Sequence, residues 1–142
     1  MKNIYNFSIY LVLGILFLSG CELNIESPFI FDERNKFVGK YEVEEYSENT
    51  SLTLIYDIRI QKSRYPDNII LISNFYDADI EVIGEVNEDR FSIPPQRVGF
   101  REIEGRGTWF GGGEISMIFT VREIEIGPDF VDFLSCSTWQ YY

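Results

Sequence analysis

Asp77, Asp79 and Glu81 alternate along the chain, a spacing that sends three carboxylates to one side of a turn and strand. Calcium takes six to eight oxygens, so such a trio could begin a site for that ion. The spacing completes no calcium-loop motif, and the outward face of a strand in an acidic chain shows the same pattern. No metal is expected, and the three stand only as candidate calcium ligands. Arg90, Arg97, Arg101 and Arg106 fall within seventeen positions and could form the anion-reading rim of a ligand mouth. Glu102 and Glu104 are interleaved with them, so ion pairing on a solvated surface explains the same run. Trp109 and Trp139 offer flat faces that could stack on a ligand or line an apolar cavity, and with Arg97 and Arg101 they form the candidate ligand-binding set. Filling a core is the competing use of those aromatics. Ser135 and Ser137 flank Cys136, but the chain has no histidine and no Gly-x-Ser-x-Gly elbow, which leaves nucleophilic catalysis without its base. None of the 23 acidic residues is singled out as half of a catalytic pair. The expectation is a protein that is not an enzyme and uses no cofactor.

Composition narrows the partners. Formal charge is −11, and becomes −12 if Lys2 leaves with an N-terminal leader. A field of that sign repels phosphate backbones, so nucleic acid is not an expected partner. At 45% hydrophobic and 25% charged residues the chain has the balance of a packed soluble domain, and 142 residues leave room for one core.

Residues 1–20 carry one positive charge at Lys2, an apolar stretch Ile9–Leu18 and then small residues, the pattern of a signal peptide. About ten apolar residues are too few for a helix that crosses a bilayer, which takes roughly 20. Leu18-Ser19-Gly20-Cys21 resembles the bacterial lipobox. The resemblance implies cleavage before Cys21, with Leu18, Ser19 and Gly20 as the cleavage signal, and acylation of the Cys21 thiolate and the new amino terminus. Two or three acyl chains hold a protein on a bilayer where one is marginal. The implied setting is the bacterial cell envelope, lipid-anchored, with the outer membrane preferred because Glu22 rather than Asp follows the cysteine. Cys136 is then left without a disulfide partner, and its apolar neighbours predict a buried inert thiol.

Residues 21–36 read as the lipidated N-terminus and a tether, with the apolar patch Pro28-Phe29-Ile30-Phe31 either free or docked as a short strand. From residue 37 to 142 the rhythm has a period of two. Leu52, Leu54, Tyr56, Ile58 and Ile60 oppose Thr53, Asp57, Arg59 and Gln61; Ile80, Val82, Gly84 and Val86 oppose acidic neighbours; Ile115, Met117, Phe119 and Val121 repeat the pattern. Further strands are predicted at 37–46, 68–76, 91–93, 105–110 and 131–141, with hairpin-type turns between them. Short connections favour antiparallel neighbours. About eight such strands predict an all-β up-and-down barrel, with a two-sheet sandwich as the alternative.

Phe37-Val38-Gly39-Lys40-Tyr41-Glu42-Val43 resembles the opening of lipocalin-like barrels, with Tyr41 in the aromatic place of Gly-x-Trp. Asn74-Phe75, Ile80–Val86, Phe91-Ser92-Ile93-Pro94-Pro95-Gln96 and Gly105-x-Gly107 extend the likeness to small lipocalin-like lipoproteins of Bacteroidota. The resemblance implies a lipid-anchored envelope protein that binds a small apolar or amphipathic molecule. The alternative is a module without an internal cavity that contacts an envelope protein or glycan.

Overall fold

A computed structural model describes residues 31–125 and 130–141. The leader, the lipobox Leu18-Ser19-Gly20-Cys21 and the patch Pro28-Phe29-Ile30 lie outside the described residues. Eight strands follow in order: β1 Gly39–Ser47, β2 Thr53–Lys62, β3 Ile69–Phe75, β4 Ile80–Asn87, β5 Arg90–Val98, β6 Arg101–Gly111, β7 Glu114–Glu123 and β8 Val131–Tyr141. Each pairs antiparallel with the next, and β1 pairs with β8, so the sheet closes into a barrel. Closure leaves the two-sheet alternative aside and removes the free edges that an open sheet would expose.

The period-two pattern becomes the inside and outside of the wall. Tyr41, Val43, Ile58, Ile60, Ile70, Ile72, Phe91, Ile115, Met117 and Phe119 point inward and are almost fully buried. Phe37 meets Phe91 edge-on at 5.4 Å between ring centres, and Phe75 packs on Phe119 at 4.4 Å. Two glycines make room for this filling. A Cβ at Gly107 would stand 2.2 Å from the Phe91 ring, and one at Gly105 would meet the β7 backbone at the Ile118 carbonyl oxygen, 2.6 Å away.

The two ends of the barrel differ. The lower end is closed by a short 3-10 helix, Glu33–Lys36, N-capped by Asp32. The expected tether therefore stops short of Lys36: the folded unit begins at Asp32, five residues before the expected domain start. Arg34 is the reason. Its guanidinium grips the Asp32 carboxylate in a two-pronged pair, 2.8 Å at each prong, and donates to the Ser63 carbonyl at 3.0 Å, which ties the helix to the β2–β3 loop. Tyr41 donates to the Phe37 carbonyl at 2.8 Å and fills the floor above. Its phenol, taken out of water, is pushed up to about 12.

Candidate functional site

The upper end, opposite that helix, carries the polar interior of the barrel. Glu45 on β1 is inward-facing and 2% exposed, because it continues the parity of Tyr41 and Val43. Its carboxylate accepts from the Tyr56 hydroxyl on β2, and the Cys136 thiol on β8 lies 3.9 Å from the same oxygen. Burial pushes the Glu45 carboxyl up to about 7, against the lowering effect of Tyr56 and reinforced by the negative charges of Asp132 and Asp77. Burial also raises the Cys136 thiol, as expected for an inert sulfur. One step nearer the opening, Asp132 accepts from the Ser47 hydroxyl at 2.6 Å and from the Tyr76 hydroxyl at 3.2 Å. Six polar side chains from four elements thus form two clusters, one nearer the opening than the other.

Tyr76 covers them. It follows β3 in a turn where Tyr76, Asp77 and Asp79 have positive φ, 60°, 48° and 49°, as does Asn74 in the bulge just before, at 57°. Asn and Asp tolerate this region; a tyrosine there is strained and needs its surroundings to hold it. Those surroundings are the Asp132 hydrogen bond, an edge-on contact with Phe119 at 6.5 Å and the Arg101 guanidinium 5.7 Å from the ring centre. Burial and the Asp132 charge raise the Tyr76 phenol to about 12, so it remains a donor across the neutral range. Leu54, Phe100 and Phe130 are exposed at the same end and give the opening an apolar rim.

The wall beside the opening is irregular. β4 and β5 pair only at Glu85–Ser92, Val86–Phe91 and Asn87–Arg90, since Pro94 and Pro95 supply no amide donors. The Gln96 side chain fills the gap, donating to the Ile83 carbonyl and accepting from the Ile83 amide, both at 2.9 Å. On the other side, Asn74 bulges out of β3 and donates to the Asp57 carbonyl at 2.8 Å. Outside the barrel, Pro94, Pro95, Ile118 and Phe133 line an open groove of about 680 Å³ with Glu104 and Arg106 at its margin.

The ligand-binding set expected from sequence is dispersed. Trp109 lies at the lower end on the inner face, half-buried, with the Lys36 ammonium 5.5 Å from its ring centre. Trp139 is also low in the barrel but points outward from β8. Arg97 and Arg101 are at the upper end, Arg97 exposed and Arg101 paired with Glu123 at 3.3 Å. The four form no single site, because β6 runs the height of the wall between Arg101 and Trp109. Of the arginine run, Arg101 pairs across strands with Glu123, and Glu102 between them pairs with Arg122, outside the run. Asp77, Asp79 and Glu81 do not converge either. The left-handed turn breaks their alternation, Glu81 accepts from Ser73 at 3.1 Å, and among the described residues no group of three acidic or cysteine side chains could hold a metal ion.

What sequence reasoning missed was the inward carboxylate of Glu45. The signal was available, since 41, 43, 45 and 47 share parity, but a glutamate among acidic neighbours reads as solvated. Asp132 and Tyr76 carry no local signal, because their contact joins positions 56 apart.

No family model and no curated protein matches the chain. Among solved structures it is similar to EF1p2_mFAP2b bound to DFHBI, with TM-score 0.52 and 11% identity over 78% of this chain and 98% of that one. It is similar to a redesigned beta barrel, b11L5F_LGL, with TM-score 0.52 and 11% identity over 78% of this chain and 96% of the other. At that identity the likeness establishes the fold: a closed, eight-stranded antiparallel barrel.

Proposed function

We propose that the chain is an envelope lipoprotein, acylated at Cys21 and resembling lipocalin-like lipoproteins, whose barrel binds a small amphipathic molecule at its upper opening. The observation that carries the binding site is Tyr76: one strained side chain separates an apolar rim of Leu54, Phe100 and Phe130 from the buried hydrogen-bonding groups of Asp132, Ser47, Glu45 and Tyr56. An amphipathic ligand supplies both halves. Its apolar part covers the rim, and its polar head takes the place of the Tyr76 hydroxyl on Asp132. A barrel that binds DFHBI is a precedent for the scaffold. The outer groove of Pro94, Pro95, Ile118 and Phe133 supports a second reading, contact with an envelope protein or glycan.

Titration of the processed chain with a neutral apolar dye and with single-chain amphiphiles tests the site. Saturable binding that is lost when Leu54→Asp and Phe100→Asp are combined supports the opening. Binding unchanged in that variant but lost in Ile118→Ser with Phe133→Ser transfers it to the groove. Acyl labelling tests the anchor: incorporation into the wild-type chain and none into Cys21→Ser is expected.

A further inference from the structure

The lower end of the barrel has a distinctive outer surface. Tyr65 in the β2–β3 loop is 79% exposed, Phe110 at the end of β6 is 65% exposed, and Trp139 and Tyr141 on β8 are 45% and 41% exposed. They come from three separate sectors of the rim, yet all belong to the end where strands β2, β6 and β8 finish. Between them stand charged side chains of both signs. The three lysines after the leader, Lys36, Lys40 and Lys62, are at this end with Arg64 and Arg90, beside Asp32, Glu33, Asp67, Glu88 and Asp89; Lys36 pairs with Glu33 and Asp89 at 2.6 Å, and Lys62 with Asp32 at 3.0 Å. The upper end is acidic. Its exposed apolar residues include the aliphatic Leu52, Leu54 and Ile55 and the phenylalanines Phe100, Phe130 and Phe133, with one tyrosine, Tyr46, set among Glu48, Asp77, Asp79, Glu123 and Glu125.

We infer that this lower rim of Tyr65, Phe110, Trp139 and Tyr141 is a membrane-contact surface, which seats the barrel on the bilayer with its upper opening turned away. Tyrosine and tryptophan are the side chains that favour the headgroup layer, where a ring meets hydrocarbon and its polar atom meets water. With its lysines and arginines balanced by carboxylates, the lower end can approach an anionic lipid surface, whereas the acidic upper end is repelled by it. The covalent path points the same way. Asp32, where the folded unit begins, lies at the lower end and only eleven residues after Cys21, a span of at most roughly 40 Å. The strands are nine to eleven residues long for the most part and tilt by about 40° in a closed barrel, so the wall is roughly 25 Å tall. Turning the upper end to the lipid would use most of the tether merely to pass the wall. The inference rests on the acyl anchor proposed above.

The test uses the full processed, acylated chain on vesicles of phosphatidylcholine with a minor share of anionic lipid, part of it brominated near the headgroup. In the Trp109→Phe variant Trp139 is the sole tryptophan; its emission is expected to shift blue with roughly twofold quenching on the bilayer. A second variant, Trp109→Phe with Trp139→Phe and Leu52→Trp, reports the upper end and is expected to be unquenched. Adding Tyr65→Ser and Phe110→Ser to the first variant should leave flotation with vesicles intact and weaken the Trp139 quenching. A chain that floats with Trp139 unquenched, or with the Leu52→Trp probe quenched instead, overturns the membrane-contact surface while leaving the anchor standing. A chain that does not float, and behaves as Cys21→Ser does, overturns the anchor and this inference with it.

Discussion

Tyr76 donates a hydrogen bond to the carboxylate of Asp132 at 3.2 Å, so a side chain from the β3–β4 turn is latched to the start of β8. The latch holds a tyrosine in left-handed backbone, with φ of 60°. Removing the hydroxyl leaves the strain without its main compensation. Tyr76→Phe is expected to lower unfolding free energy by about 1.5–3 kcal/mol, the usual worth of a hydrogen bond to a charged group. Tyr76→Gly removes both latch and strain, and should cost less at the backbone while leaving the mouth open. Urea denaturation of the two variants checks the order, and dye titration checks whether opening the mouth tightens binding.

Stability should peak in mildly acidic solution. Glu45 is held up to about 7 by burial, so between its ordinary value of 4.5 and 7 the unfolded chain has lost a proton that the folded chain keeps. Its effect is therefore to reduce stability as pH rises through that window, by about 3 kcal/mol in all, with no further change above it. Asp32 acts oppositely. The Arg34 pair, helped by Lys62, holds its carboxyl far below 3.8, so its stabilisation is complete above that value and is lost as pH falls below it. Glu45→Gln should flatten the limb between pH 4.5 and 7, and Asp32→Asn the acid limb. Denaturant midpoints across pH 3–8 measure both, and a wild-type midpoint still rising from pH 5 to 7.5 would contradict the placement of Glu45.

The seam between β4 and β5 depends on one side chain. Gln96→Ala removes both bonds to Ile83 and should lower stability by about 1–2 kcal/mol, with faster exchange of the Ile83 amide. Gln96→Glu keeps the acceptor and puts a second acceptor against the Ile83 carbonyl, so it should recover little of the loss. Amide exchange at Ile83 against that at Ile70 separates local opening from global unfolding.

Two glycines should answer differently to the same substitution. Gly107→Ala drives a methyl into the Phe91 ring and should cost about 1–3 kcal/mol, of which Phe91→Leu returns a part by vacating the space. Gly105→Ala meets the β7 backbone, which no side-chain substitution relieves. Thermal melts of the single and double variants decide the matter.

Much of the barrel was legible because alternation is a local signal. All eight strands were foreshadowed, and 131–141 coincides with β8. The misfits have physical causes. Pro94-Pro95 reads as the end of a strand, yet β5 continues to Val98 because its β4 side is already open and Gln96 stands in for the missing ladder. Asp32–Lys36 reads as tether because it has no periodicity; long-range contacts, those of Arg34 with residues 29 to 35 positions away and of Lys36 with Asp89 among them, make it part of the fold. The site was less legible for the same reason. Trp109 and Arg101 are eight positions apart on one strand, which in a barrel means opposite ends, whereas Ser47, Tyr76 and Asp132 are remote in sequence and adjacent in space.

Backbone amide resonances of the processed chain, followed during titration with a single-chain amphiphile, test the binding site most directly. Shifts are expected at Leu54, Tyr76, Phe100 and Asp132, with Trp109 unmoved. Saturating shifts confined to Ile118 and Phe133, or to the lower end around Trp109, would contradict a ligand site at the Tyr76 opening.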